Sequence, residues 1–204
     1  MSEKDWTGNK ATTFVQLGAS NHSEGDRQSE DFYATDPNTL KIFLDKLKED
    51  GIELHNLIWE CACGQGHLSK VLIEGGYEVL STDLVDRGYG QKADFLQAPP
   101  GWNGDILTNP PYKYAKEFVE KALEIIPIGK YAIFLLKIQF LEGQDRFKMF
   151  KQYPPKYVYV NSKRQTCYIN GDMTNKMSSA SCYCWFIWEK GFRGEPIIRW
   201  IKGD

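Results

Sequence analysis

Short apolar runs that alternate with amphipathic stretches set the strongest constraint on this chain. "LIWECAC" (57–63), "YEVLSTD" (77–83), "DILTN" (105–109) and "YAIFLLK" (131–137) are each too short for a core helix and rich in strand-forming residues. Between them lie segments with helical spacing. In "TDPNTLKIFLDKLKED" (35–50), Leu40, Phe43, Leu44 and Leu47 recur on one helix face, Asp-Pro opens the segment and Gly51 closes it. "GQGHLSKVLIEGG" (64–76) is a glycine turn leading into a helix with Leu68, Val71 and Leu72 on its buried side. Further helices are expected over roughly 114–126 and 143–151. Strands alternating with helices give a mostly parallel sheet covered on both faces. "KYVYV" (156–160) and "CYCWFIWE" (182–189) differ, because only a polar stretch without clear period (161–180) joins them. Such a connection favours an antiparallel pair.

A chain of 204 residues suits one domain with a full core. Residues 1–30 read as a polar, mostly irregular arm and 31–204 as the folded domain. No apolar run approaches the ~18 residues a bilayer span needs, and "MSEKDWTGNK" lacks the apolar centre of a signal peptide. A soluble, cytoplasmic protein is expected. Cys61, Cys63, Cys167, Cys182 and Cys184 are odd in number, against a disulfide framework, and C-x-C is the wrong spacing for zinc knuckles. They read as small buried hydrophobes, and no metal is expected. The isolated histidines suggest no base–nucleophile pair. Charge is uneven. Residues 112–166 carry 11 basic against 5 acidic residues, whereas the chain as a whole has a net charge of −2. A solvated helix face and a phosphate-attracting surface both account for such an excess.

Chemistry concentrates at strand ends. Gly64 and Gly66 follow the first long strand, where open α/β sheets bind ligands and where glycine lets a backbone approach one. Asp83 ends the next strand, a position from which a carboxylate can take two ribose hydroxyls. Glu60 can face an amine nearby. The third glycine of a dinucleotide fingerprint is replaced by Ser69. "TNPPY" (108–112) places an amide, two prolines and an aromatic ring at the tip of a strand. Two prolines remove two backbone donors and fix φ.

In this order, "ECACGQG" (60–66), "TD" (82–83), "ADF" (93–95) and "TNPPY" resemble the class I S-adenosylmethionine-dependent methyltransferases, above all the DNA N6-adenine branch. The resemblance implies a single Rossmann-like domain with a seven-stranded sheet, mostly parallel with its last strand antiparallel, and S-adenosylmethionine as cofactor. It implies that Glu60, Cys61, Ala62, Gly64 and Gly66 border the methionine part, that Asp83 holds the ribose, and that Asp94 and Phe95 meet the adenine. "DFYATDP" resembles the segment preceding the first motif in these enzymes, so Tyr33, Thr35, Asp36 and Pro37 would close over the methionine end. Asn109, Pro110, Pro111 and Tyr112 would be catalytic. An exocyclic amine on a base is a poor nucleophile, because its lone pair is delocalised. Acceptors at the Asn109 side chain and the Pro110 carbonyl would orient that lone pair, and Tyr112 would stack on a flipped base. The partner implied is nucleic acid, DNA first, with Arg146, Lys163 and Arg164 near its phosphates. The same loop also serves methylation of structured RNA bases and of protein glutamine amides, and a non-catalytic nucleic-acid-binding protein is a further reading. No target-recognition domain is visible.

Overall fold

The computed structural model describes residues 33–163, 166–169, 176–178 and 182–202. The polar arm, Arg164 and Cys182's neighbour Ser181 lie outside the described residues. Eight strands form the main sheet, in the order β4 (Gln91–Lys92), β3 (Glu78–Asp83), β2 (Leu57–Glu60), β5 (Asp105–Thr108), β6 (Tyr131–Lys137), β10 (Tyr183–Glu189), β7 (Tyr157–Asn161) and β11 (Ile197–Ile201). The strands from β4 to β6 run parallel. β10 inserts antiparallel between β6 and β7, with Tyr183 opposite Lys137 and Phe186 opposite both Phe134 and Val158. The mostly parallel sheet with its antiparallel insertion is the architecture expected, with eight strands rather than seven. The eighth, β11, lies parallel to β7 at the edge. Its "PIIRWI" sequence is strand-prone, but three of its apolar residues, Ile197, Ile198 and Trp200, are exposed.

The helices cover both faces, and the strands alternate accordingly. On one side α1 (Pro37–Glu49) and α2 (His67–Glu74) bring Leu40, Phe43, Val71 and Leu72 onto Ile58, Leu107, Ile133, Trp185 and Ile187. On the other α3 (Ala115–Ile125) and α4 (Gln144–Gln152) bring Phe118, Val119, Ala122 and Met149 onto Ile106, Phe134, Phe186 and Trp188. Strands buried on both faces read as unbroken apolar runs, which is why "YAIFLLK" and "CYCWFIWE" show little alternation. Trp185 stacks on Phe43 with ring centroids 4.5 Å apart, and Cys184 is fully buried beside it in the strand. Both act as packing residues, as their sequence context suggests.

A second, three-stranded sheet was not legible in the sequence. β8 (Thr166–Ile169) pairs antiparallel with both β1 (Tyr33–Thr35) and β9 (Lys176–Ser178). β8, within the aperiodic 161–180 connection, is therefore paired through its backbone with the segment that leads into α1. Main-chain hydrogen bonds need no hydrophobic period, so the pattern carries no trace of them.

At the amino ends of the strands, Asp105 is 1% exposed. Its carboxylate accepts from the backbone of His55 at 2.6 Å and of Tyr131 at 2.8 Å. It thereby joins the entries of β2, β5 and β6. Asp105→Ala strands two buried N–H groups. It is expected to lower the unfolding free energy by roughly 2–4 kcal/mol, read from urea denaturation at neutral pH.

Candidate active site

Between β2 and β5 the strand order reverses, which opens a crevice at the carboxyl ends. β2 stops at Glu60, and the chain turns through Cys61–Gly66 into α2. Gly64 and Gly66 take left-handed φ of 54° and 77°. Side chains there are strained, so the glycines have a backbone reason. The turn is anchored across to β3. Gly64 N–H donates to Asp83 Oδ2 at 2.8 Å, and Cys63 N–H donates to the Thr82 carbonyl at 2.9 Å. Asp83 Oδ1 accepts from Val85 N–H at 3.0 Å. An ionised carboxylate has about four acceptor positions. Two are used here to shape the site, and two remain for a pair of hydroxyls.

Glu60 is placed differently from the open, amine-facing position expected. It is 2% exposed, and its carboxylate accepts from the Ser69 hydroxyl in the first turn of α2. Ser69 also contacts the Ser81 hydroxyl at 2.7 Å. The serine in the third glycine position thus ties turn, helix and β3 together. Burial pushes the Glu60 carboxyl up to about 8, opposed by the Ser69 hydrogen bonds and reinforced by nearby Asp83. Phe95 is likewise a core residue rather than an open adenine face. It is 2% exposed and packs against Trp59 and Phe118. Asp94 caps the short turn that follows, accepting from Leu96 N–H at 2.9 Å. The apolar face available on this side is Leu84, next to Asp83 and 61% exposed. Sequence reasoning passed over it, although an apolar residue directly after a strand-ending acid is the signal. Cys61 and Cys63 are buried, and burial pushes the Cys63 thiol up to about 12, so neither is a nucleophile.

Tyr89 was also missed. Gly88 and Gly90 flank it with φ of 78° and 72° and fold its loop back over the glycine turn. A Cβ at Gly66 would lie 2.4 Å from the Tyr89 ring. The signal in "RGYGQ" was an aromatic residue between two glycines.

Across the crevice, β5 ends at Thr108 and delivers the Asn-Pro-Pro-Tyr loop. Asn109 Nδ2 donates to Thr35 Oγ1 at 3.0 Å. Thr35 is 6% exposed at the end of β1. Two segments singled out separately in the sequence therefore meet, and β1 itself is paired with β8 in the small sheet. Asp36 and Pro37 serve as N-cap and first residue of α1, with Asp36 Oδ1 accepting from Asn38 N–H at 2.9 Å. Pro110 is buried, Pro111 is extended, and Tyr112 begins a 3-10 turn (Tyr112–Tyr114) that leads into α3. The Tyr112 ring lies 5.8 Å from that of Tyr183, and the Lys137 ammonium stands 5.2 Å from its centroid.

The substrate side needs one correction. Arg146 was expected to meet phosphates, but its guanidinium is engaged by the chain. Nε donates to the Phe140 carbonyl at 2.8 Å, Nη2 donates to the carbonyls of Glu142 and Gln139, and the group sits over the Phe140 ring. Five fixed donors make arginine well suited to holding such a turn. Lys163 is exposed just after β7, and Arg164 lies outside the described residues.

This strand order, with one antiparallel strand inserted and a glycine turn beside a strand-ending acid, is a known one. The fold is that of the class I methyltransferases. A protein from Pyrococcus horikoshii named as a candidate RNA methyltransferase superposes with a TM-score of 0.58 at 15% identity, covering 87% of this chain and 96% of that one. A candidate class I S-adenosylmethionine-dependent methyltransferase from Listeria monocytogenes gives 0.57 at 15% identity, over 94% and 71%. A Thermotoga maritima structure named as an S-adenosylmethionine-dependent O-methyltransferase gives 0.50 at 14% identity, over 83% and 70%. No protein-family model matches the chain, and no curated protein matches it in sequence. Among the described residues, no helix is long and apolar enough to cross a membrane, and no group of three or more His, Cys, Asp or Glu is arranged to hold a metal ion.

The buried Glu60 makes stability depend on pH. Its carboxyl titrates higher in the folded chain than in the unfolded one, so its favourable contribution is complete below the ordinary carboxylate range. That contribution declines as pH rises towards about 8. Urea denaturation between pH 5 and 8 should therefore show the parent losing stability relative to Glu60→Gln as pH rises, with His67, held low by burial, contributing the opposite slope to both.

Proposed function

We propose that this protein transfers a methyl group from S-adenosylmethionine to an exocyclic amino nitrogen, adenine N6 in DNA. The observation that carries the reading is the bond from Asn109 Nδ2 to Thr35 Oγ1. That bond holds the amide at the tip of β5, where the reading needs an acceptor for an amine.

The residues at the carboxyl ends fit the cofactor. Left-handed Gly64 and Gly66 keep side chains away from the turn. Asp83 has acceptor capacity for two ribose hydroxyls, exposed Leu84 suits an adenine face, and Asp94 offers an acceptor for an amino group. The cofactor, when bound, supplies a methyl group on a positively charged sulfur, so its departure needs no acid. The chain's part is orientation. Asn109 Oδ1 and the Pro110 carbonyl accept the two N–H bonds of the acceptor amine and turn its lone pair out of conjugation. The donor-poor prolines offer no competing N–H, and Tyr112 gives the base a ring to lie against. The basic excess of residues 112–166 supports a polyanionic acceptor over a glutamine side chain.

The test is methyl transfer from labelled cofactor to DNA, RNA and peptide in parallel. Adenine methylation in DNA is expected. Transfer only to RNA or to a glutamine would replace the substrate assignment, and absence of transfer to all three would overturn the reading. Asp83→Ala should weaken cofactor binding by roughly 1–3 kcal/mol in calorimetry, through lost hydrogen bonds to a charged group. Asn109→Ala should lower kcat about 100-fold or more with little change in cofactor affinity, the pattern of a contact made in the transition state. Tyr112→Ala should also raise KM, because stacking on a base contributes about 1–3 kcal/mol. Tyr112→Phe should remain close to the parent.

A further inference from the structure

Several lysines pair with carboxylates, and one of these, Lys156, also stands over the rings of Tyr157 and Phe192. Lys41, Lys46, Lys116, Lys121 and Lys156 each have a carboxylate within 3.5 Å, and they lie on helix flanks or at the amino edge of the sheet. Lys151, on α4, stands over Phe147, and at the mouth of the crevice three ammonium groups stand over aromatic rings with no ion pair among the described residues. Lys70 stands over Tyr89, Lys113 over Tyr114 and Lys137 over Tyr112. No carboxylate among the described residues pairs with any of these three.

Lys137 is the most constrained of them. It is the last residue of β6, half-buried, and lies directly opposite Tyr183 in the β6–β10 register. Its ammonium is 5.2 Å from the centre of the Tyr112 ring, and that ring also meets Tyr183 at 5.8 Å. A cation–π contact at a partly exposed site is weak, so an anion of better geometry readily draws the ammonium away. The ring it stands over is the one offered to an incoming base.

We propose that Lys137 is a phosphate-binding residue specific for a nucleic-acid substrate. In the ligand-free protein its ammonium rests on the face of Tyr112. When a base takes that face, the ammonium moves to the backbone phosphate beside the target nucleotide. One side chain thus keeps the aromatic face covered and recognises that the incoming ring belongs to a polynucleotide. This rests on the reading of Tyr112 as the base platform, and it adds a requirement for phosphate that a peptide acceptor would not meet.

The experiment measures binding rather than turnover, so it is separate from the methyl-transfer assay. A fluorescent single-stranded oligonucleotide containing adenine is titrated with the protein in the presence of S-adenosylhomocysteine over a range of salt concentrations. The logarithm of affinity against the logarithm of salt should be shallower by about 0.7 for Lys137→Met, the loss of one phosphate contact on a single strand. Lys137→Arg should keep the parent slope. Lys121→Met, which removes a carboxylate-paired lysine, should keep it as well. A single neutral methylphosphonate beside the adenine should reduce the parent slope by the same amount and leave that of Lys137→Met unchanged. Equal slopes for parent and Lys137→Met, or no binding of the oligonucleotide by the parent, would overturn the proposal. Failed methyl transfer with a normal Lys137 effect would fault only the chemistry assigned to Asn109.

Discussion

The buried carboxylate of Asp105 sets the axial position of the central strands. It receives the backbone N–H groups of His55 and Tyr131, at the entries to β2 and β6, while itself beginning β5. Three neighbouring strands are thereby held in register at their amino ends. Burial raises its carboxyl above the ordinary range, and the two backbone donors and nearby Lys130 and His55 oppose that rise. From that common start β2 and β5 run four residues each, and β6 runs seven, to Lys137. The glycine turn, the Asn-Pro-Pro-Tyr loop and Lys137 all follow from the far ends of these same three strands.

At that opposite edge the polar groups first hold one another. Asp83 grips the glycine turn through Gly64 and its own loop through Val85. Glu60, Ser69 and Ser81 form a buried polar knot beneath the turn. Thr35 fixes the amide of Asn109. Hydrogen bonds that exist before any ligand arrives remove orientational freedom in advance, which is the condition for electrostatic and positioning effects to act on an amine. The small sheet of β1, β8 and β9 belongs to this arrangement. In it β8 pairs with the strand that carries Thr35.

The large features of the fold were legible because they rest on burial. "YAIFLLK" and "CYCWFIWE" lie between two helical layers and therefore read as continuous apolar strands. Leu40, Phe43 and Leu47 recur at helical spacing because one face of α1 meets the sheet. The glycine turn was legible through φ, since Gly64 and Gly66 occupy conformations that other residues avoid. The misplacements share a cause. Glu60, Phe95 and Arg146 were assigned outward-facing tasks from their positions along the chain. Each instead satisfies a neighbour distant in sequence or in the next turn: Ser69, the rings of Trp59 and Phe118, and the carbonyls of residues 139–142. The β8–β9 pair escaped because main-chain pairing leaves no hydrophobic pattern, and edge strand β11 was passed over although "IIRWI" is strand-prone.

The sequence by itself determined the alternation of the central strands with their helices, the glycine turn at the tip of β2, and the rigid amide-and-ring loop at the end of β5. These are local consequences of side-chain burial, backbone φ and missing proline donors. Only the tertiary structure decided that Asn109 meets Thr35 across 74 positions of chain, that Tyr89 folds over Gly66, and that Lys137 rests on Tyr112. Those contacts depend on where separate strands end relative to one another, and strand register is set by pairing between distant segments rather than by any one of them.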